Sequence, residues 1–159
     1  IKEAQNFTVI VDYAPEPESL KQAYNTVLKL KKDNAKIIHV LGSCGGGRDI
    51  ARRPILGELA GKNADYVIIT NEDPYDDDPM EIINNVVEGA VKEGKVLDKN
   101  LFKILDRREA IKKALTLAKE NNLVLITGKG SEQAMCIADG KKIKWDDRAI
   151  AKEELKKLF

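Results

Sequence analysis

Short runs of β-branched and other apolar residues alternate along the chain with longer stretches in which apolar positions recur every three or four residues. Phe7 to Asp12 (FTVIVD), Lys36 to Leu41 (KIIHVL), Tyr66 to Thr70 (YVIIT), Phe102 to Leu105 (FKIL) and Leu123 to Thr127 (LVLIT) read as strands. Their nearly continuous apolar character is that of strands covered on both faces. Glu18 to Lys31, Arg53 to Lys62, Pro79 to Glu93 and Arg107 to Glu120 read as helices, with spacings such as Ala110, Ala114, Leu117 and Ala118. Pro79, after an acidic run, suits a first helical turn. Strand–helix alternation of this kind predicts right-handed crossovers and an α/β, three-layer, Rossmann-like domain with a mostly parallel sheet. The tail departs from the pattern: Asp139-Gly140 is a hairpin signal, and Asp147 to Leu158 reads as a closing helix.

In an open parallel sheet, ligands collect beyond the carboxyl ends of the strands. Those ends carry DYAPEPES, GSCGGGRD, TNEDPYDDDP and TGKGSEQ, so every unusual stretch falls at one edge. This coincidence predicts a single site.

Composition narrows the function classes. The chain has 159 residues, 43% of them hydrophobic, enough for one domain with a real core. Its 27 basic and 26 acidic side chains nearly cancel, which argues against bulk attraction to nucleic acid or an anionic membrane. No apolar run is long enough for a bilayer, and no secretory leader pattern is present. Cys44 and Cys136 are too few and too far apart for a disulfide framework or a CxxC metal site. A reduced, cytoplasmic setting is expected, with no metal site.

The glycine turn Gly42 to Arg48 can either cradle an anion with its backbone N–H groups or serve only as a tight turn. It fails the G-x-G-x-x-G fingerprint, since Cys44 takes a required glycine position. TGKGS fails the P-loop spacing, with Leu123 where the first glycine belongs. Arg48 favours the anion reading, because a guanidinium captures a carboxylate bidentately. In NEDPYDDDP, Asp76 to Asp78 read as helix-entry caps, whereas Glu72 and Asp73 lie closer to the strand end and can meet a cationic ligand group. TGKGSE either offers Lys129 to an anion and Glu132 to an amine or is only a glycine-rich connection with an exposed lysine. His39 reads as a structural histidine inside a strand, Trp145 as packing between hairpin and last helix. Cys44 lacks the nearby histidine that a thiolate nucleophile would use.

Taken together, VDYAPEPESL, GGGRDIARRP, TNEDPYDDDPMEIINNV, LVLITGKGSE and WDDRAIA resemble the successive motifs of the C-terminal domain of Mur ligases. The likeness is nearest to the tripeptide-synthetase type, whose patterns read VDYAHTPD, GGDRDxGKRP, DNPR, GKGHE and DxR. It spans residues 1–159 and implies a C-terminal amino-acid-binding domain, with the N-terminal and central ATP-binding domains outside this chain. Such ligases use ATP and Mg²⁺ to activate a UDP-N-acetylmuramoyl-peptide carboxylate for attack by an incoming amino acid, in peptidoglycan synthesis. The chain alone is then expected to be inactive, to hold no catalytic residue and to bind no cofactor tightly.

By the same resemblance, Arg48 grips the α-carboxylate of the amino acid. Glu72, Asp73 and Tyr75 address its amino group or side chain, Gly128 and Glu132 hold the far end, and Asp12 meets the nucleotide ribose. Tyr75 stands where DNPR has arginine, bringing a hydroxyl but no charge. An acidic pocket without that arginine predicts an amine-ended side chain such as lysine or ornithine over meso-diaminopimelate. Pro15 and Ser131 replace the histidines of YAHTP and GKGHE. A ligase of the folylpolyglutamate or cyanophycin type, or a non-catalytic Rossmann-like module binding a nucleotide or a protein, are the alternatives.

Overall fold

A computed structural model describes residues 1–159. Five strands, β1 (Thr8–Val11), β2 (Ile37–Leu41), β3 (Tyr66–Thr70), β4 (Leu101–Ile104) and β5 (Leu123–Ile126), form one sheet in the order β1-β5-β2-β3-β4. Every neighbouring pair is parallel. The crossover helices are α1 (Pro17–Leu30), α2 (Arg52–Asn63), α3 (Pro79–Lys92) and α4 (Arg107–Leu117). The chain steps outward from β1 to β4 and returns to insert β5 between β1 and β2. The three-layer, Rossmann-like expectation holds, and the main sheet is entirely parallel.

Period-two alternation divides the core between the two faces of the sheet. Ile37 and Leu41, Val67 and Ile69, and Leu123 and Leu125 pack with residues of α1, α2 and α3, among them Leu20, Val27, Leu56 and Val86. Ile38, Val40, Ile68, Val124 and Ile126 face Ala110, Ile111 and Leu115 of α4 and Ile150 and Leu155 of the last helix, α5 (Asp147–Leu158). Each such fully buried aliphatic side chain stabilises the fold by about 1.5–3 kcal/mol.

Helix ends follow local chemistry. Asp78 caps α3 by accepting the Met80 N–H, and Asp146 caps α5 by accepting from Arg148 and Ala149. α4 stops at Leu117, three residues before the expected Glu120. The Asn121 backbone turns to φ 64° and its N–H bonds to Asn6 on the β1 side, which draws the chain out of the helix. The hairpin joins β6 (Ala134–Cys136) to β7 (Lys142–Lys144) as a separate antiparallel pair. Asp139 and Gly140 both take positive φ, as an Asp-Gly turn requires.

Candidate functional site

The four unusual loops lie side by side because β1, β5, β2 and β3 are consecutive in the sheet. Backbone bonds stitch them together. Gly128 N–H donates to the Tyr13 carbonyl at 2.9 Å, and Gly45 N–H to the Asp73 carbonyl at 2.8 Å. Tyr75 N–H donates to the Cys136 carbonyl at 3.3 Å, which brings the hairpin to the same edge.

Beneath these loops sits a buried ion pair. Arg107, at the start of α4, donates through Nε and Nη2 to both carboxylate oxygens of Asp147 at 2.9 and 2.7 Å. Its remaining donors reach the carbonyls of Asn71 (3.1 Å) and Thr127 (2.8 Å), fixing the ends of β3 and β5. Trp145 Nε1 also donates to Asp147, so Trp145 ties the hairpin to α5 as expected. No local signal in the sequence marks this bidentate buttress, whose halves lie in RRE and WDDR, 40 residues apart.

His39 is fully buried, with Nδ1 2.7 Å from the Tyr24 hydroxyl and Nε2 2.9 Å from the Thr127 hydroxyl. Burial, then the nearby Arg107 charge, lower its pKa to about 3. It is the neutral structural histidine that its place in a strand suggested.

Glu72 is almost wholly buried. Cys44 Sγ donates to its Oε1 at 3.1 Å, and burial raises its pKa despite the opposing Arg107 charge. Burial and the Glu72 carboxylate together raise the Cys44 thiol, leaving it protonated and unreactive. Gly128 makes room for Glu72: at φ +108°, a Cβ there would lie 2.0 Å from Oε2. Gly46 (φ +65°) does the same for Tyr75, whose ring atoms would approach a Cβ to 2.6 Å. Tyr75 itself holds φ 52°, strained for a residue with a side chain.

Lys129 is 1% exposed and holds two carboxylates, Asp73 Oδ2 at 2.7 Å and Glu132 Oε2 at 2.9 Å. The anions it meets are therefore the protein's own. Its pKa is lowered by burial but raised overall by these two hydrogen bonds. Glu132 is half exposed. Arg48 is exposed and takes part in no ion pair, unlike Arg52 and Arg53, which are buried against Glu16 and Asp77. Asp12 is exposed and accepts the Ala14 N–H at 3.1 Å. Tyr13, whose place within VDYA carries no signal of its own, stands 52% exposed at the rim, its phenol raised by burial and then by Glu132.

The structure thus brings Glu72, Asp73, Tyr75, Gly128 and Glu132 to one edge and puts Arg48 on a turn bonded to the same loop. It corrects the charge inventory behind the lysine or ornithine preference. That preference counted Glu72 and Asp73 as open anions, but Asp73 is neutralised by Lys129 and Glu72 is sealed from solvent. Asp76 and Asp77 are engaged locally, with the Asp139 N–H and with Arg53. No group of three His, Cys, Asp or Glu is gathered closely enough to hold a metal ion by itself. No helix is long and apolar enough to cross a membrane.

The family described as Mur ligase, glutamate ligase domain, matches residues 1–130. The UDP-N-acetylmuramoyl-L-alanyl-D-glutamate–2,6-diaminopimelate ligase of Cytophaga hutchinsonii is 42% identical over 156 residues, covering 98% of this chain and 31% of its own length. The enzyme of the same name from Geobacillus kaustophilus is 40% identical over 156 residues, covering 98% of this chain and 30% of its own. A solved structure of a ligase of that name superposes with a TM-score of 0.84 at 30% identity, over 99% of this chain and 31% of that one. The chain therefore spans about a third of the length of the relatives it matches, and it belongs to the Mur ligase family, matching its glutamate ligase domain.

Proposed function

We propose that this chain is the amino-acid-binding part of an ATP-dependent ligase that adds a 2,6-diamino acid to a UDP-N-acetylmuramoyl-peptide. The observation that carries the reading is the meeting of the glycine turn, the Asn71–Tyr75 loop and the Gly128–Glu132 loop at one sheet edge, on the fold of a diaminopimelate ligase. Arg48, free and exposed, receives the α-carboxylate. Glu132, half exposed, receives the distal ammonium. The α-amine is thereby turned away from the sheet, toward the activated acyl group held elsewhere in the ligase. Attack by that amine on the acyl phosphate forms the C–N bond of the amide, breaks the acyl C–O bond with release of inorganic phosphate, and gives up the amine's proton. ATP supplies the activation of the acyl carboxylate, and Asp12, exposed beyond β1, is this chain's contact to its ribose. Such a ligase works in the cytoplasm, where its nucleotide substrates are.

2,6-Diaminopimelate is the favoured amino acid, being the substrate named for the relatives at about 40% identity. Lysine is the second reading, on one observation: Tyr75 offers no charge for a second carboxylate. The test is amide formation by the complete ligase with either amino acid as sole acceptor. A higher kcat/KM for 2,6-diaminopimelate supports the first reading, and the reverse supports lysine. No product with either, while glutamate is ligated, contradicts the proposal and favours a folylpolyglutamate-type enzyme.

A further inference from the structure

Donors from three separate loops converge on Asp73. Its carbonyl accepts the Gly45 N–H of the glycine turn at 2.8 Å, and Oδ1 accepts the Cys136 N–H of β6 at 2.7 Å. Oδ2 accepts Lys129 Nζ, from the segment after β5, also at 2.7 Å. Asp73 is 6% exposed. A carboxylate accepts at both oxygens, whereas a carboxamide accepts at one and donates from the other. An amide at position 73 would turn its NH₂ toward either the Lys129 ammonium or the Cys136 N–H, donor against donor in a buried place. The geometry calls for an acid here, where the DNPR pattern has asparagine; both of that acid's oxygens are engaged within the protein, and its burial closes it to a ligand.

We propose that Asp73 is a positioning residue and not a substrate contact: with Lys129 it locks the glycine turn, β6 and the loop after β5 into one unit that sets Glu132. Lys129 Nζ is shared between a buried partner, Asp73, and an exposed one, Glu132, whose side chain is 43% exposed. An arriving ammonium replaces Lys129 at Glu132 alone, because Asp73 stays covered. Binding of the distal amine is thus an exchange of partners at Glu132, with Lys129 held in reserve by Asp73. What Glu132 meets rests on the ligase reading above; the lock does not.

The test compares Asp73→Asn with the double variant Asp73→Asn/Lys129→Gln, in which the new NH₂ at position 73 can donate to the glutamine carbonyl at position 129. In the 159-residue chain, amide hydrogen exchange at Cys136 speeds up about tenfold in the single variant and returns to within about threefold in the double. In the complete ligase, the KM for the diamino acid rises about tenfold in the single variant and recovers in part in the double, while the KM for ATP stays unchanged. A purely structural role would move kcat and both KM values together. Unchanged exchange, an unchanged diamino-acid KM, or a double variant no better than the single overturns the proposal. If the single variant does not fold, a double variant with native exchange at Cys136 and a near-native diamino-acid KM supports it, and one that also fails to fold overturns it. Restored exchange in a ligase that joins no diamino acid at all defeats the ligase reading and spares the lock.

Discussion

Arg48 and Lys129 are both cations set among glycines, one beyond the end of β2 and the other beyond the end of the adjacent β5, yet their circumstances are opposite. Arg48 is exposed and unpaired; Lys129 is buried between two carboxylates. The Arg48 turn carries backbone N–H groups and a free guanidinium, so an anion arriving there displaces only water. Lys129 is already engaged by both carboxylates, so whatever binds must exchange with an internal partner. Availability of charge, not its presence in the sequence, decides which cation receives a ligand.

The contrast is broken most severely at Lys129. Lys129→Met leaves the buried Asp73 carboxylate without its counter-ion, and urea titration should show a loss of about 3–5 kcal/mol of stability. Arg48→Ala should do the reverse. Stability should stay within about 0.5 kcal/mol of the parent, while the complete ligase loses about 1.5–3 kcal/mol in kcat/KM for the diamino acid, through a charge-assisted pair no longer made. If both substitutions act equally on stability, the distinction between a free and a locked cation is wrong.

His39 sharpens the comparison, since it lies in β2 and bonds to Thr127 at the end of β5, between the two cationic loops. Its folded pKa, about 3, lies below its ordinary 6.5, so the unfolded chain binds more protons between those values. Stability is then fully present above about pH 6.5 and is lost as the pH falls. Between pH 6.5 and 5 the loss should be about 1.6 kcal/mol, the slope rising toward about 1.4 kcal/mol per unit at the lower end. Glu72, raised by burial, acts in the opposite direction above its ordinary 4.5 and becomes protonated in the fold before it does in the open chain. Replacing His39 with glutamine should flatten the slope. The smallest effect is expected at Glu132: Glu132→Gln should change stability by less than about 1 kcal/mol, because the pair is half in solvent, and should show itself in the diamino-acid KM instead.

How much of this was legible in the sequence follows from the range of each interaction. The five strands and the edge they share were readable, because β-branched runs and glycine-rich punctuation are local signals. His39 was readable as structural from its strand alone. Of Asp76 to Asp78, read together as helix-entry caps, only Asp78 caps α3, its partner being two residues away; Asp76 and Asp77 instead meet the distant Asp139 N–H and Arg53. Lys129 was misjudged as open to an external anion because its deciding partner, Asp73, is 56 residues distant. The Arg107–Asp147 buttress, 40 residues apart, was missed on the same ground. Only the fold brings such charges together, and until they meet, a buried ion pair and an open acidic pocket have the same composition.

The most direct test is a backbone-amide NMR titration of the 159-residue chain with 2,6-diaminopimelate and, separately, with L-lysine. The account predicts shifts confined to the carboxyl edge, at Gly45 to Arg48, Tyr75 and Gly128 to Glu132, that vanish at Arg48 and its turn in Arg48→Ala. Shifts centred on the opposite edge, around Lys36, Asp65 and Lys95, would contradict it.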